Sequence, residues 1–211
     1  IIMKKLITYL LLAFPLPLMA QIGIKGGLNF AKVSKASEIS SSNKAGFHAG
    51  IFLAMPSKKI ISSRTELIFS RQGYDYKNAT TTGNVNMDYI QMGQLMSINI
   101  TKYFSLMLGA QTSYLISAQA DSSTGTGSGP EKSIMDLYNR IDYGYAVGVE
   151  IHPVLGLIIG ARYNVSLAKV YKDLQNMQAP SFTSQDAKNN VIQISVGWRF
   201  GKQPKKEKKE D

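Results

Sequence analysis

Hydrophobic and polar residues alternate strictly over short segments of this chain, and "VIQISVGWRF" at 191–200 is a clear example. One face of that segment is polar or small apart from a single valine. The other face is entirely apolar and consists of Ile192, Ile194, Val196, Trp198 and Phe200. A period of two residues is the pattern of a β-strand whose two faces meet different surroundings. Alternation alone does not say which face is buried.

The same criterion, with turn residues as boundaries, predicts eight strands. They span about 22–33, 45–55, 60–74, 85–100, 103–118, 140–151, 155–170 and 190–200.

The predicted connections alternate in length. Those after the second, fourth and sixth strands are short, and those after the first, third, fifth and seventh are longer, with one turn of helix expected in "EKSIMDLYNR". Tight periplasmic turns and longer extracellular loops are typical of an outer-membrane barrel. The fold class predicted is therefore all-β: an eight-stranded, antiparallel, up-and-down transmembrane β-barrel with both termini periplasmic.

A soluble, lipocalin-like barrel is the main alternative, and the composition of the polar face argues against it. That face is rich in Gly, Ser and Ala and nearly lacks Lys, whereas a surface in water is rich in Lys and Glu. Aromatic residues also group at both ends of the predicted outer face, as interfacial girdles do in lipid. The extracellular group is Phe30, Phe47, Phe69, Tyr114, Tyr143, Tyr145 and Tyr163, and the periplasmic group is Phe104, Trp198 and Phe200.

The two ends of the sequence differ from the alternating region. Residues 1–20 have a basic start, an apolar stretch and a small-residue site, which predicts a signal peptide cleaved between Ala20 and Gln21. Residues 21–200 form the predicted barrel, and 201–211 are a mixed-charge, disordered periplasmic tail. The net charge is +10, but its placement at the ends and in turns argues against nucleic-acid binding.

Several stretches in order resemble the PorT-like outer-membrane β-barrel family of Bacteroidetes. They are "GIKGGLNFAKVS", "GFHAGIFLAMP", "TELIFSRQGYDY", "GVEIHPVLGLIIGARYNVSL" and "ISVGWRF", which together span nearly all of 21–200. Two features depart from the family: Gly93 stands where a proline is usual, and a charged tail follows Phe200. The resemblance implies an outer-membrane location and a terminal aromatic signal, Trp198 and Phe200, read by the barrel-assembly machinery. The founding member takes part in type IX protein secretion.

Charged residues on the predicted inner face are expected to neutralise one another inside a narrow barrel, because buried charges must be paired. The proposed lumen network is Lys25, Arg64, Glu66, Asp142, Glu150, Arg162 and Arg199. A closed lumen is therefore favoured over a narrow pore.

Enzymatic residues are sparse. The chain has no cysteine and two histidines. His48 faces inward without an assignable Ser or Asp partner and is expected to be a hydrogen-bonded filler, and His152, before Pro153 in a turn, is expected to be structural. We therefore expect no catalytic residues, cofactor or metal, although a lipid-modifying enzyme is an alternative.

Recognition is then expected at the loops, because the lumen is filled and the wall faces lipid. The loop 171–189 has apolar residues that could anchor an envelope or secretion partner, or could instead pack on the barrel mouth. These residues are Tyr171, Leu174, Met177 and Phe182. The function predicted is a partner-binding barrel, and the alternative is a structural barrel without a dedicated partner.

Overall fold

The computed structural model describes residues 21–34, 40–55, 60–77, 82–124, 127–128, 132–172 and 187–201. Eight long strands account for most of them. In chain order they are β1 (Gln21–Ser34), β2 (Ser40–Ala54), β3 (Ile61–Lys77), β4 (Thr82–Asn99), β5 (Phe104–Thr124), β6 (Ile141–Ile151), β7 (Leu157–Ser166) and β8 (Lys188–Arg199).

The eight strands form a closed antiparallel ring. Each strand pairs with the next along the chain, and β1 pairs with β8. Following paired residues once around the ring leads from Ile22 to Lys32, a stagger of ten residues. Closure with such a stagger tilts the strands by roughly 35–45° from the barrel axis, and eight strands leave a lumen that side chains can fill. The prediction of an all-β, eight-stranded antiparallel barrel is confirmed.

The barrel has two distinct ends. The turn end carries the connections 55–60, 100–103 and 152–156, together with Gln21 and Arg199. At this end the Thr101 hydroxyl oxygen accepts hydrogen bonds from the Tyr103 and Phe104 amides, which fixes a tight hairpin. The opposite end, where β3 turns to β4 and β5 leads to β6, is called the loop end.

The apolar face of the strands points outward. Val196 is 54% exposed, whereas its neighbour Ser195 is 8% exposed, and the same alternation runs through every long strand. The aromatic residues predicted for the two girdles lie on this outer face, and Tyr103 joins the turn-end group. An apolar belt exposed between two aromatic rings matches the surroundings that a bilayer provides. Among the described residues, no helix is long and apolar enough to cross a membrane.

The polarity of the two faces inverts at the loop end. Beyond Phe69, the outward positions of β3 become Arg71 and Asp75, while the inward positions become Tyr74 and Tyr76. Strand β4 repeats the change, because its inward residues there are apolar. An apolar interior with a polar exterior is the pattern of a protein in water, so the inversion marks where the belt ends.

Strands β2 to β5 continue beyond the level at which the polarity inverts. This extension corrects the prediction of long loops after the first and third strands. Strand β2 begins at Ser40, and the connections there shrink to residues 35–39 and 78–81. In the interval 75–84, which lies between the predicted third and fourth strands, residues 75–77 and 82–84 belong to strands, with Lys77 paired to Thr82. Polar residues continue the sheet because water can face one side of an antiparallel sheet. The turn predicted in "EKSIMDLYNR" is present as a short 3-10 helix, Met135–Leu137.

Candidate functional site

Five charged side chains from four different strands meet inside the barrel toward the turn end. Glu66 lies at the centre: its carboxylate is 3.2 Å from Lys25 Nζ, 2.9 Å from Arg64 Nε and 2.7 Å from Arg162 Nη1. Arg64 reaches onward to Glu150 with two hydrogen bonds of 2.6 and 3.1 Å. All five residues are buried. The paired charges form a plug, because two carboxylates and three cations occupy the cross-section of a narrow lumen.

Neutral hydrogen-bonding side chains form the next layer toward the loop end. Asn29 donates to Ser70 Oγ at 3.0 Å and to the Phe47 carbonyl at 2.9 Å, and its amide oxygen is 2.8 Å from His48 Nδ1. On the adjoining strands β4 and β5, Gln91 donates to Gln111 at 2.5 Å. His48 therefore belongs to a structural amide layer, as expected for a single inward histidine.

An apolar cluster with three tyrosines closes the interior at the loop end. The hydroxyl of Tyr74 on β3 contacts those of Tyr138 and Tyr171, and the rings of Tyr138 and Tyr171 lie 4.9 Å apart. Residues 138 and 171 also form an isolated β-bridge, which ties the segments after the 3-10 helix and after β7 together. Burial raises the pKa of Tyr138 and of Tyr171, so both hydroxyls stay protonated at neutral pH.

Tyr171 is therefore not available as an exposed anchor for a partner. It is 2% exposed and packs into the barrel mouth, which is the alternative that the sequence left open. The other three residues of that proposed anchor, Leu174, Met177 and Phe182, lie outside the described residues.

The remaining predicted residues lie apart from the plug. Asp142 faces inward but is held by the Ser166 hydroxyl nearer the loop end, and Arg199 is half-buried at the turn end.

Trp198 and Phe200 face outward in the turn-end girdle, and the Phe200 amide donates to the Ile22 carbonyl at 2.8 Å. Gln21 is buried at the start of β1, while Ala20 and residues 202–211 lie outside the described residues.

One serine and one histidine approach each other at the turn end. Ser105 Oγ is 3.3 Å from His152 Nε2, but the serine donates its proton to Asn99 Oδ1 at 2.8 Å. The nearby Glu150 carboxylate lies 3.9 Å from the same histidine nitrogen, not from Nδ1 where an orienting acid would act. Ser105 is also 1% exposed. The pair does not have the arrangement of a nucleophile and its base.

Metal ligands are equally sparse in the described part of the chain, where no three His, Asp or Glu residues group closely enough to hold an ion.

Sequence reasoning missed the tyrosine cluster. Tyr74 was assigned to the end of a strand and Tyr138 to a loop, so their meeting was not foreseen. A signal was present: Tyr74 and Tyr76 alternate with polar residues, and so do Val85 and Met87 on the next strand. If the apolar face of that alternation points inward instead of outward, it predicts that β3 and β4 continue beyond the apolar belt.

Comparison with known proteins agrees with this geometry. The family model described as outer membrane protein beta-barrel domain matches residues 14–172. The crystal structure of Ail, the attachment invasion locus protein of Yersinia pestis, is 18% identical, with 87% of this chain and 100% of that chain covered and a TM-score of 0.51. The crystal structure of Neisserial surface protein A is also 18% identical, with 85% and 97% covered and a TM-score of 0.49. No curated protein sequence matches the chain. At such identities the likeness shows the fold alone.

Proposed function

The chain belongs to the outer membrane protein beta-barrel domain family, and on this premise we propose that it is a partner-binding component of an envelope or secretion assembly. In this proposal the turn end and the termini are periplasmic, and the loop end is the recognition surface. The protein acts as a rigid, closed scaffold and has no catalytic activity of its own.

The observation that carries the proposal is the continuation of β2–β5 beyond the apolar belt. A barrel that only spanned a membrane would need strands that extend no farther than the girdles. Here the β3–β4 ladder continues from Phe69 to Lys77 as a regular sheet with its own buried core. Such a platform presents polar side chains in a fixed arrangement, and rigid scaffolds that carry loops are a common basis for recognition.

The edge of this extension strengthens the proposal. Within the described residues, Ser40–Asn43 of β2 pairs with β3 and with no other strand, since the β1 ladder stops at Lys44. Where a sheet extends beyond its neighbouring strand, an extended segment of another protein can add to it through backbone hydrogen bonds. An extended segment of an envelope protein is therefore the kind of partner that the extension fits.

Closure of the interior argues for recognition over conduction. The charged plug, the amide layer and the tyrosine cluster follow one another along the lumen, so a solute would have to break buried ion pairs to pass. The absence of an activated nucleophile at Ser105 supports a non-enzymatic role.

The test is copurification from native outer membrane. Replacing residues 76–83 with an Asn-Gly turn keeps the pair Asp75–Asn84 and shortens the extension. We expect the barrel to fold, as judged by different gel mobility before and after boiling, and the partner to be lost. Deleting residues 202–211 is the control and should retain the partner.

If the partner survives the shortened hairpin but not the tail deletion, recognition lies at the other end of the barrel and the proposal is wrong. If no protein copurifies at a stoichiometric ratio, the chain is a structural barrel without a dedicated partner.

A further inference from the structure

Polar side chains on the outer wall are confined to one sector of the belt. The outward belt residues of β6, β7, β8, β1 and β2 are aliphatic, glycine or aromatic. Strands β3, β4 and β5 instead carry Ser63, Thr65, Gln94 and Thr112 on that face. Acyl chains cannot form hydrogen bonds with such groups, so a wall that contacts only lipid gains nothing from them. Their grouping on one sector therefore indicates another neighbour.

Gln94 occupies the middle of the outward run of β4. The run is Ile100, Ile98, Met96, Gln94, Met92 and Ile90, all exposed. The amide is therefore placed well inside the apolar belt and not at a girdle, where water would solvate it. The two methionines beside it are 58% (Met92) and 40% (Met96) exposed, and methionine adapts its shape readily to an opposing surface.

The amide is only partly satisfied within its own chain. Thr65 donates to Gln94 Oε1 at 2.6 Å, and Gln94 Nε2 donates to Ser63 Oγ at 2.9 Å. A primary amide has two N–H donors and two acceptor lone pairs, and the Ser63 hydroxyl has its own proton to donate. These two bonds leave one N–H of Gln94 and the Ser63 hydroxyl proton over, and lipid outside the wall offers them no acceptor.

We propose that this cluster of Ser63, Thr65 and Gln94 is a self-association surface, through which two copies of the barrel dimerise within the membrane about a two-fold axis. Every member of the cluster is uncharged and is both donor and acceptor, so the surface is complementary to itself without like-charge repulsion. That is the requirement for an isologous contact. Both copies insert in the same direction, so β4 residues of one copy meet the same residues of the other.

Space for the contact is provided by small neighbours. Gln94 is directly paired with Thr65 on one side and with Ala110 on the other, so no bulky side chain shields the amide laterally. Close approach of backbones at small residues, with polar side chains bonding across, is how membrane-embedded surfaces associate.

Disulfide trapping tests the proposal directly, because the chain contains no cysteine. Met96→Cys leaves Gln94 in place and puts a thiol next to its own copy across the two-fold axis. Val196→Cys is the matched control, since β8 lies opposite β4 in the ring of eight. In phosphatidylcholine vesicles under a mild oxidant, we expect Met96→Cys to cross-link roughly tenfold faster than the control, which corresponds to about 1.4 kcal/mol.

A second variant separates the polar cluster from simple crowding. Adding Gln94→Leu to Met96→Cys should reduce cross-linking to the rate of the Val196→Cys control, while gel mobility before boiling shows that the barrel is intact. Equal rates for Met96→Cys and Val196→Cys would overturn the proposal. Rapid cross-linking that survives Gln94→Leu would also overturn it, because the contact would then not depend on the polar cluster.

Discussion

Removing the central carboxylate of the charged plug is the most demanding test of the closed interior. Glu66→Gln keeps the shape of the side chain but leaves Lys25, Arg64 and Arg162 facing one another with Glu150 as the remaining anion. An ion pair at roughly 3 Å contributes about 5–6 kcal/mol of direct attraction at an effective dielectric constant near 20. Desolvation cancels part of this, and breaking a buried pair typically costs about 3–5 kcal/mol. Because three cations lose the same partner, we expect the upper end of that range.

Glu150→Gln is the matched comparison. It replaces one of the two oxygens that accept from Arg64 with an NH2 donor and removes the negative charge, but that guanidinium still has Glu66 beside it. The expected cost is therefore the loss of charged hydrogen bonds, about 1.5–3 kcal/mol. Lys25→Met added to Glu66→Gln should recover part of the stability, because Arg64 keeps Glu150 and one of the two cations left without an anion is removed.

Urea titration of the barrel in phospholipid vesicles measures these costs. The fluorescence of Trp198, the single tryptophan, reports whether the turn-end girdle is in lipid. Glu66→Gln should lower the free energy of unfolding more than Glu150→Gln does. A cost below about 1 kcal/mol for Glu66→Gln, or the reverse order of the two variants, would refute a plug held together at Glu66.

The remaining predictions concern the wall, the lumen and assembly. Val196→Arg on the lipid face should cost about 2–4 kcal/mol in the same titration if it lies near the midplane, whereas Ser195→Arg should fail by overpacking the lumen; no cost for Val196→Arg would mean that the faces are reversed. Vesicles containing the protein should retain small sugars, and rapid swelling would disprove the closed lumen. Phe200→Ala should impair insertion measured by heat-modifiable mobility, while deletion of 202–211 should not; the opposite result would place the assembly signal in the tail.

Which residues lie on each face of a strand could be predicted from the sequence, because the alternation of apolar and polar residues is a property of each strand by itself. Ile194 and Ser195 differ in polarity whatever pairs with them, so their opposite exposure follows from the pleat. The partners of the charged residues could not be predicted in the same way. Glu66 and Arg162 are 96 positions apart and meet only because the ring closes with a particular stagger. Individual lumen residues can be identified from the sequence, but their pairing requires the register of the whole barrel.

The loop end was predicted less well because one polarity rule was applied along the whole strand. Within the belt an outward position is apolar, as at Phe69, and two residues later Arg71 faces water beside Asp88 at 2.7 Å. The strand itself does not change at that point; the solvent around it does. A strand that leaves the bilayer must exchange the roles of its faces to keep apolar groups from water and polar groups from lipid. The residue at which alternation inverts is thus a physical marker of the membrane boundary.

The same reasoning about polarity and solvent explains why a single residue, Gln94, indicates a contact on the outer wall. The inversion at the loop end occurs on neighbouring strands at one level, near Tyr74 on β3 and Met87 on β4. Gln94 breaks the rule inside the belt, on one sector, with apolar neighbours above and below on its own strand. A change of solvent cannot account for a local exception of that kind, because lipid surrounds the whole ring. What remains is a local change in what touches the wall, and a protein surface is the neighbour that can return a hydrogen bond.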